Sequence, residues 1–161
     1  MTSTARKAMS LAIATITVVV VVMLAQQRSR TVDPAAADYR SADEAMQEYV
    51  EETARLDLPT GAVFPAEPSA LPAFEGSVPI FYEPGVGTQT AQLYWYCAWA
   101  KFVLADNPEA LDRLGEFEHL AVWSKIDDYG HEMFSTQLDA AREADLRPLA
   151  SYVEQNCAES T

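Results

Sequence analysis

Two histidines, each with a carboxylate three residues before it, come nearest to a metal site. The pairs are Glu116 with His119 and Asp128 with His131. On an α-helix this interval places both side chains on one face, and Glu with His at this interval supplies ligands in di-iron helical bundles. Such bundles draw carboxylates from four long helices, and Gly130 lies inside the second pair. The pattern therefore favours a solvated helical face with no metal or cofactor, and it leaves these four residues as the candidate ligands.

Aromatic side chains between residues 94 and 99 form the second set that could do chemistry. Trp95 and Trp99, with Tyr94 and Tyr96 beside them, could form a platform for sugar rings such as those of a cell wall. The same stretch is apolar on all sides of a helix, which is typical of a helix at the centre of a bundle. Core packing is therefore the prediction, and glycan binding through Trp95 or Trp99 is the alternative.

The sequence contains no complete catalytic motif. No serine lies in a Gly-x-Ser-x-Gly turn. Gly85-Val86-Gly87 resembles part of a phosphate-binding loop, but it lacks the following lysine and the preceding strand. The sequence therefore predicts no catalytic residue and favours a protein that is not an enzyme.

The two cysteines, Cys97 and Cys157, each fall on a predicted buried helix face. A disulfide between them would join the C-terminal helix to the core. By closing a loop of about 60 residues it would contribute on the order of 4 kcal/mol in the chain-entropy model. Two buried free thiols are the alternative, because cysteine packs like a small hydrophobic residue. The presence of only two cysteines in a domain predicted to be exported favours the disulfide.

The charges that surround these residues are strongly segregated. All 24 acidic residues lie beyond residue 30, where only seven basic residues remain, so that part of the chain has a formal charge of −17. Such a charge repels phosphate backbones and anionic lipid headgroups. We therefore expect no nucleic-acid partner and a well-solvated surface.

Residues 8–25 are uncharged and apolar, and they include an unbroken valine run at 18–22. As a helix they would span about 27 Å, close to the thickness of the hydrocarbon layer, so they are predicted to be a single transmembrane anchor in the lipid bilayer. A cleaved signal peptide is the alternative, but a small-residue cleavage site is missing. Residues 1–7 are then a short basic tail on the cytoplasmic side, and residues 26–40 are a spacer beside the membrane. Because the basic residues at the two ends are nearly balanced, the orientation rests on the usual export of the chain that comes after an early apolar segment.

Residues 41–161 are predicted to be an acidic, irregular helical bundle outside the cytoplasm. Helical periodicity and capping signals predict five stretches. They are Ser41 to about Leu56, Thr88 or Thr90 to about Asp106, Asn107 to about Trp123, His131 to Ala144, and a last helix capped by Asp145. The pattern is interrupted over 127–130.

Residues 57–87 contain six of the nine prolines and no helical pattern, yet they are rich in apolar side chains. A disordered segment would lack these side chains, so we expect an ordered loop that packs them over the helices, with a short extended piece at 78–82. Long loops of this kind are often functional, which makes Phe81 and Tyr82 candidate binding residues. By elimination, the sequence predicts a membrane-anchored domain that contacts another envelope or membrane protein, with a small ligand, a metal or a glycan as the alternative ligand.

Overall fold

The computed structural model describes residues 38–157, and this part of the chain is mainly helical, as the sequence predicts. The predicted anchor at 8–25 and almost all of the predicted spacer lie outside the described residues. Within 38–157, none of the helices combines the length and the apolar character that crossing a membrane requires.

Five α-helices and three short 3₁₀ segments make up most of the described chain. The α-helices are α1 (Ala42–Thr53), α2 (Val86–Leu104), α3 (Leu111–Gly115), α4 (Asp128–Arg142) and α5 (Arg147–Asn156). The 3₁₀ segments are Pro108–Ala110, Glu116–His119 and Ala121–Lys125. Four two-residue strands form two antiparallel pairs: β1 (Arg40–Ser41) pairs with β4 (Phe81–Tyr82), and β2 (Phe74–Glu75) pairs with β3 (Val78–Pro79).

Helix α1 begins at the capping box that the sequence predicts. The Ser41 hydroxyl accepts a hydrogen bond from the Glu44 N–H, and the Glu44 carboxylate accepts one from the Ser41 N–H. The predicted apolar stripe is wrong at Val50, which is 55% exposed. The buried face runs instead through Ala45, Tyr49 and Glu52, at the four- and three-residue intervals of one helix face.

Helix α2 begins earlier than predicted, and neither Thr88 nor Thr90 is its N-cap. The N-cap is Gly85, whose φ of 88° lies in the left-handed region that favours glycine. The Glu48 carboxylate of α1 accepts hydrogen bonds from the N–H groups of Gly85 and Gly87. A carboxylate at this end also interacts favourably with the helix dipole, so one helix caps the next.

Two clusters of buried residues meet at α2. Its inner face contributes the fully buried Trp95, and α3 and α5 contribute Leu114 and Leu149 to the same cluster. On the other side of α2, Ala91 packs with the buried residues of α1 and with Leu71 of the loop. The prediction that α2 is the central helix is therefore confirmed.

The region between α2 and α4 is less regular than the predicted helical stripe. Asn107 is the N-cap residue of the 3₁₀ segment Pro108–Ala110, as predicted, but its side chain makes no capping bond there. Its amide donates instead to the carbonyls of Phe102 and Ala105 at the end of α2. The predicted break over 127–130 is also wrong. Asp127 is the N-cap of α4 and accepts from the Gly130 N–H at 2.8 Å, so the helix includes Gly130. The predicted last helix is present, and the Asp145 carboxylate accepts from its Arg147 N–H.

The loop between α1 and α2 packs only some of its apolar side chains. Phe64 and Leu71 pack against the core as predicted. The prediction is wrong for four others, which are more than 60% exposed: Val63, Phe74, Val78 and Phe81. Phe74 and Val78 lie on the hairpin of β2 and β3, which pairs with no other strand within residues 38–157.

Candidate functional site

The two cysteines join α2 to the residue that follows α5. Their Sγ atoms lie at the bonding distance of 2.06 Å, and both side chains are buried. The pairing brings together residues 60 apart in the sequence, as the positions of both cysteines on inward faces predict. The C-terminal helix is thereby held against the central helix.

The predicted aromatic platform is buried rather than open. Trp95 is only 1% exposed and Trp99 is half-buried. Both indole N–H groups donate to the same acceptor, the carbonyl oxygen of Asp57, at 2.8 and 3.0 Å. The guanidinium of Arg113 lies within 6 Å of both ring centroids and pairs with the Asp57 carboxylate. The core prediction is confirmed for Trp95, and the pair attaches the end of α1 to α2 instead of offering a surface for sugar rings.

The four candidate metal ligands either contact other protein groups or are exposed to solvent. The Glu116 carboxylate pairs with Arg113, and His119 is largely exposed beside Glu118. The His131 ring stacks on Trp123 at 4.3 Å, and its Nε2 donates to the Trp123 carbonyl.

Asp128 lies exposed in the first turn of α4. Across 38–157, no group of three or more His, Cys, Asp or Glu side chains is placed to hold a metal ion. The structure therefore does not bring the two predicted carboxylate–histidine pairs together.

The loop presents an exposed apolar surface on its hairpin, which we call the hairpin surface and define by Phe74, Val78, Pro79 and Phe81. The side chains of Phe74, Val78 and Phe81 are 61%, 63% and 61% exposed. Phe74 is paired with Pro79 across the hairpin, and Phe81 follows Pro79 by two residues. Since side chains two apart on an extended strand face the same side, Phe74, Pro79 and Phe81 share one apolar face, and Val78, opposite Glu75, projects from the other face of the hairpin.

The second candidate, Tyr82, has a different role from Phe81. Its ring packs against the cluster of buried residues beneath the loop, and its hydroxyl donates to the Pro72 carbonyl at 2.6 Å. Desolvation of this hydroxyl raises its pKa. Tyr82 thus holds β4 to the body of the domain, and the alternation of the strand leaves Phe81 pointing away from it.

The loop that carries the hairpin surface has acidic side chains and no basic ones of its own. The sequence from residue 56 to residue 100 contains no Lys or Arg, but it contains Asp57, Glu67, Glu75 and Glu83. Glu67, Glu75 and Glu83 are exposed. The loop therefore combines exposed apolar side chains with acidic ones. The basic residue beside it, Arg40, lies opposite Tyr82 and pairs with Glu48 of α1.

Sequence reasoning missed Phe74 and Val78 as surface residues because it assigned every apolar side chain of the loop to packing. The sequence nevertheless contains a turn signal that predicts this hairpin. Gly76-Ser77 between Phe74-Glu75 and Val78-Pro79 is a turn signal for a hairpin, and Gly76 has the φ of 63° that such turns favour. An isolated two-stranded hairpin cannot bury both of its faces.

A comparison of this chain with known protein families, with curated proteins and with solved structures found no match.

Proposed function

We propose that this protein is a membrane-anchored interaction domain whose hairpin surface binds another envelope or membrane protein outside the cytoplasm. The observation that carries this proposal is the exposure of Phe74 and Val78 on the hairpin and of Phe81 on the strand that directly follows it. Exposed large apolar groups that cluster at one place are typical of protein interfaces. Covering the exposed part of these three side chains would contribute about 3–5 kcal/mol before the cost of association, which suits a transient contact within a larger interface.

The charge of the loop defines the chemistry of the partner. A surface that buries the hairpin must also accommodate the exposed carboxylates of Glu75 and Glu83. Lys or Arg side chains at the rim of an apolar depression would complement them and speed association at low salt. The same charges disfavour nucleic acid and anionic lipid as the ligand of this surface.

Two features support the placement in the membrane and outside the cytoplasm. Residues 8–25 have the length and apolar character of a membrane span. Cys97 and Cys157 lie at disulfide distance, and disulfides persist mainly in oxidising compartments. The protein acts as a tethered binding domain without catalytic chemistry. A secreted form would carry the same hairpin surface if the N-terminal segment were removed.

Site-specific photocrosslinking in intact cells tests the interaction. A photoreactive amino acid at Val78 should form a discrete adduct, whereas the same amino acid at Tyr129 should not. Tyr129 is a matched control because it is 76% exposed and lies on α4, away from the loop. Phe74→Ser and Phe81→Ser should each reduce the Val78 adduct about tenfold. Equal adducts at both positions, or no adduct at Val78, would contradict the proposal.

Cysteine labelling in intact cells tests the location. With an impermeant thiol reagent we expect no labelling of the native chain and labelling of both cysteines after denaturation and reduction. The membrane-bound chain should keep the mass of all 161 residues. Thiols that label without reduction, and only after the cells are lysed, would place the domain in the cytoplasm.

A further inference from the structure

A groove lies beside the cysteine pair and is separate from the hairpin surface. Its volume is about 420 Å³, within the range of small-molecule sites. One wall comes from the loop at Pro65 and Pro68, the floor from α2, and the other wall from the end of α5.

The lining of this groove carries no charged side chain. Tyrosine, proline, serine, threonine and amide side chains form most of it. This is unusual in a domain where residues 38–157 contain seven basic and 22 acidic residues, a net charge of −15. A cationic ligand would meet no carboxylate in the groove, and an anionic ligand would be repelled by the domain as a whole. The groove therefore suits a neutral ligand.

Two tyrosine hydroxyls of the groove donate hydrogen bonds to carbonyls of the loop. The Tyr94 hydroxyl donates to the Val63 carbonyl at 2.7 Å, and the Tyr49 hydroxyl donates to the Pro65 carbonyl at 2.9 Å. These bonds hold the loop wall in place. They also leave these two hydroxyls unable to donate to the carbonyls of a proline-rich peptide, which itself lacks N–H donors.

Two side-chain amides on the opposite wall have acceptor oxygens that face no donor in the described part of the chain. The Gln155 amide nitrogen donates to the Ser151 hydroxyl, and the Asn156 amide nitrogen donates to the Tyr152 carbonyl. Within residues 38–157, neither amide oxygen accepts a hydrogen bond in return. Both side chains are exposed at the rim, where a ligand with hydroxyl donors could reach them.

Aromatic rings supply the apolar part of the groove. Tyr94 and Tyr152 are half-buried and line it from α2 and α5. The negative face of an aromatic ring attracts weakly positive C–H groups. A ring that presents C–H groups on its face and hydroxyls around its edge matches this combination.

We propose that the groove is a binding site for a neutral saccharide chain built of pyranose rings. The sugar C–H faces pack on Tyr94 and Tyr152, and the sugar hydroxyls donate to the amide oxygens of Gln155 and Asn156. This site is independent of the hairpin surface, and it replaces the predicted platform of Trp95, which is buried, and Trp99, which is half-buried.

Saturation-transfer NMR on the full chain tests the site. The chain is held in a polyoxyethylene detergent, because a sugar-based detergent would compete, and the probes are chitotetraose, cellotetraose and a decaproline peptide. At least one saccharide should receive saturation at concentrations up to about 10 mM, at the weak end of the affinity scale. Decaproline should receive none.

Two variants and one control locate the binding. Ala70→Arg places a long side chain in the groove from the exposed loop wall and should abolish transfer, whereas Ala121→Arg adds the same charge at an exposed position outside the groove and should not. Joint replacement of Gln155 and Asn156 by Ala should weaken binding about fivefold or more. The absence of transfer to both saccharides, or binding to Ala70→Arg as strong as to the unchanged chain, would overturn the proposal. Transfer to decaproline alone would overturn it in favour of a peptide site.

Discussion

Replacement of Gly87 by alanine tests the close approach of α1 and α2, on which both the core and the cap of α2 depend. A Cβ at this position would lie 1.9 Å from the Ala45 carbonyl oxygen and 2.8 Å from both the Glu48 Cβ and the Tyr49 nitrogen. Two of these three atoms belong to backbone. The helices would therefore have to separate, because no side-chain rotation can relieve the contact.

The expected loss of stability follows from that geometry. Ordinary contact begins near 3.4 Å, so the two helices must move apart by roughly 1.5 Å at this point. Such a movement would open gaps around Tyr49 and Ala91 and would lengthen the hydrogen bonds from Gly85 and Gly87 to Glu48. Overpacking of this kind costs about 3 kcal/mol or more. For a domain of this size, that corresponds to a fall of roughly 12 °C in Tm.

Thermal unfolding followed by circular dichroism measures this change, and Gly115→Ala is the matched control. A Cβ at Gly115, also in a helix, would meet only Arg142 and Leu138 side-chain atoms at 3.6 Å. That substitution should leave Tm unchanged or raise it slightly, since alanine restricts the unfolded chain. If Gly87→Ala melted within about 2 °C of the unchanged protein, the argument from helix approach would be refuted.

Three further predictions concern other contacts. Replacing Cys97 and Cys157 by Ala should lower the stability of an oxidised chain by about 4 kcal/mol, measured by urea unfolding, because the closed loop of 60 residues is released. Gln92→Ala should cost about 2 kcal/mol in the same assay, since it leaves the buried Val122 N–H without its acceptor and removes one partner of the buried Glu52 carboxylate, which keeps its ion pair with Arg55. Stability should fall as the pH rises from 10 to about 12, because burial raises the pKa of Tyr49 from 10.0 to about 12, and only the unfolded chain then loses this proton. Tyr49→Phe should make this part of the pH profile shallower.

Each of these predictions has its own control. Reductant should lower the urea midpoint of the unchanged chain but not that of the double cysteine variant, and equal responses would contradict the disulfide argument. Gln89→Ala, at a half-buried position on the same helix, should have a small effect, so an effect as large as that of Gln92→Ala would argue against the buried network. For Tyr49, an alkaline profile that the phenylalanine variant leaves unchanged would assign the loss of stability to other tyrosines.

Local signals in the sequence predicted several features correctly for a clear physical reason. The Ser41–Glu44 capping box and the all-round apolar character of α2 are determined by residues close together in the chain. The inward positions of Cys97 and Cys157 likewise follow from helical periodicity alone. Such features can be predicted from the sequence because the residues that define them are close together in one helix.

The start of α2 could not be predicted in this way. Its N-terminal N–H groups are satisfied by Glu48, which lies 37 residues before Gly85 in the sequence. Local rules look for a cap beside the helix, so they selected Thr88 or Thr90. The same limit applies to Asn107, whose amide closes the preceding helix instead of opening the next one.

For the candidate sites, too, some properties follow from the sequence and others only from the tertiary structure. The sequence by itself shows that the loop is acidic and apolar and that the chain has no complete catalytic motif. It also shows that residues 8–25 have the length and apolar character that suit a bilayer. Only the tertiary structure decided which apolar side chains are exposed, because burial depends on what another segment covers. Phe64 and Phe81 are chemically identical and lie in the same loop, yet one packs on the core and the other projects into solvent. The groove between the loop and α5 likewise exists only because distant segments are brought together around the central helix.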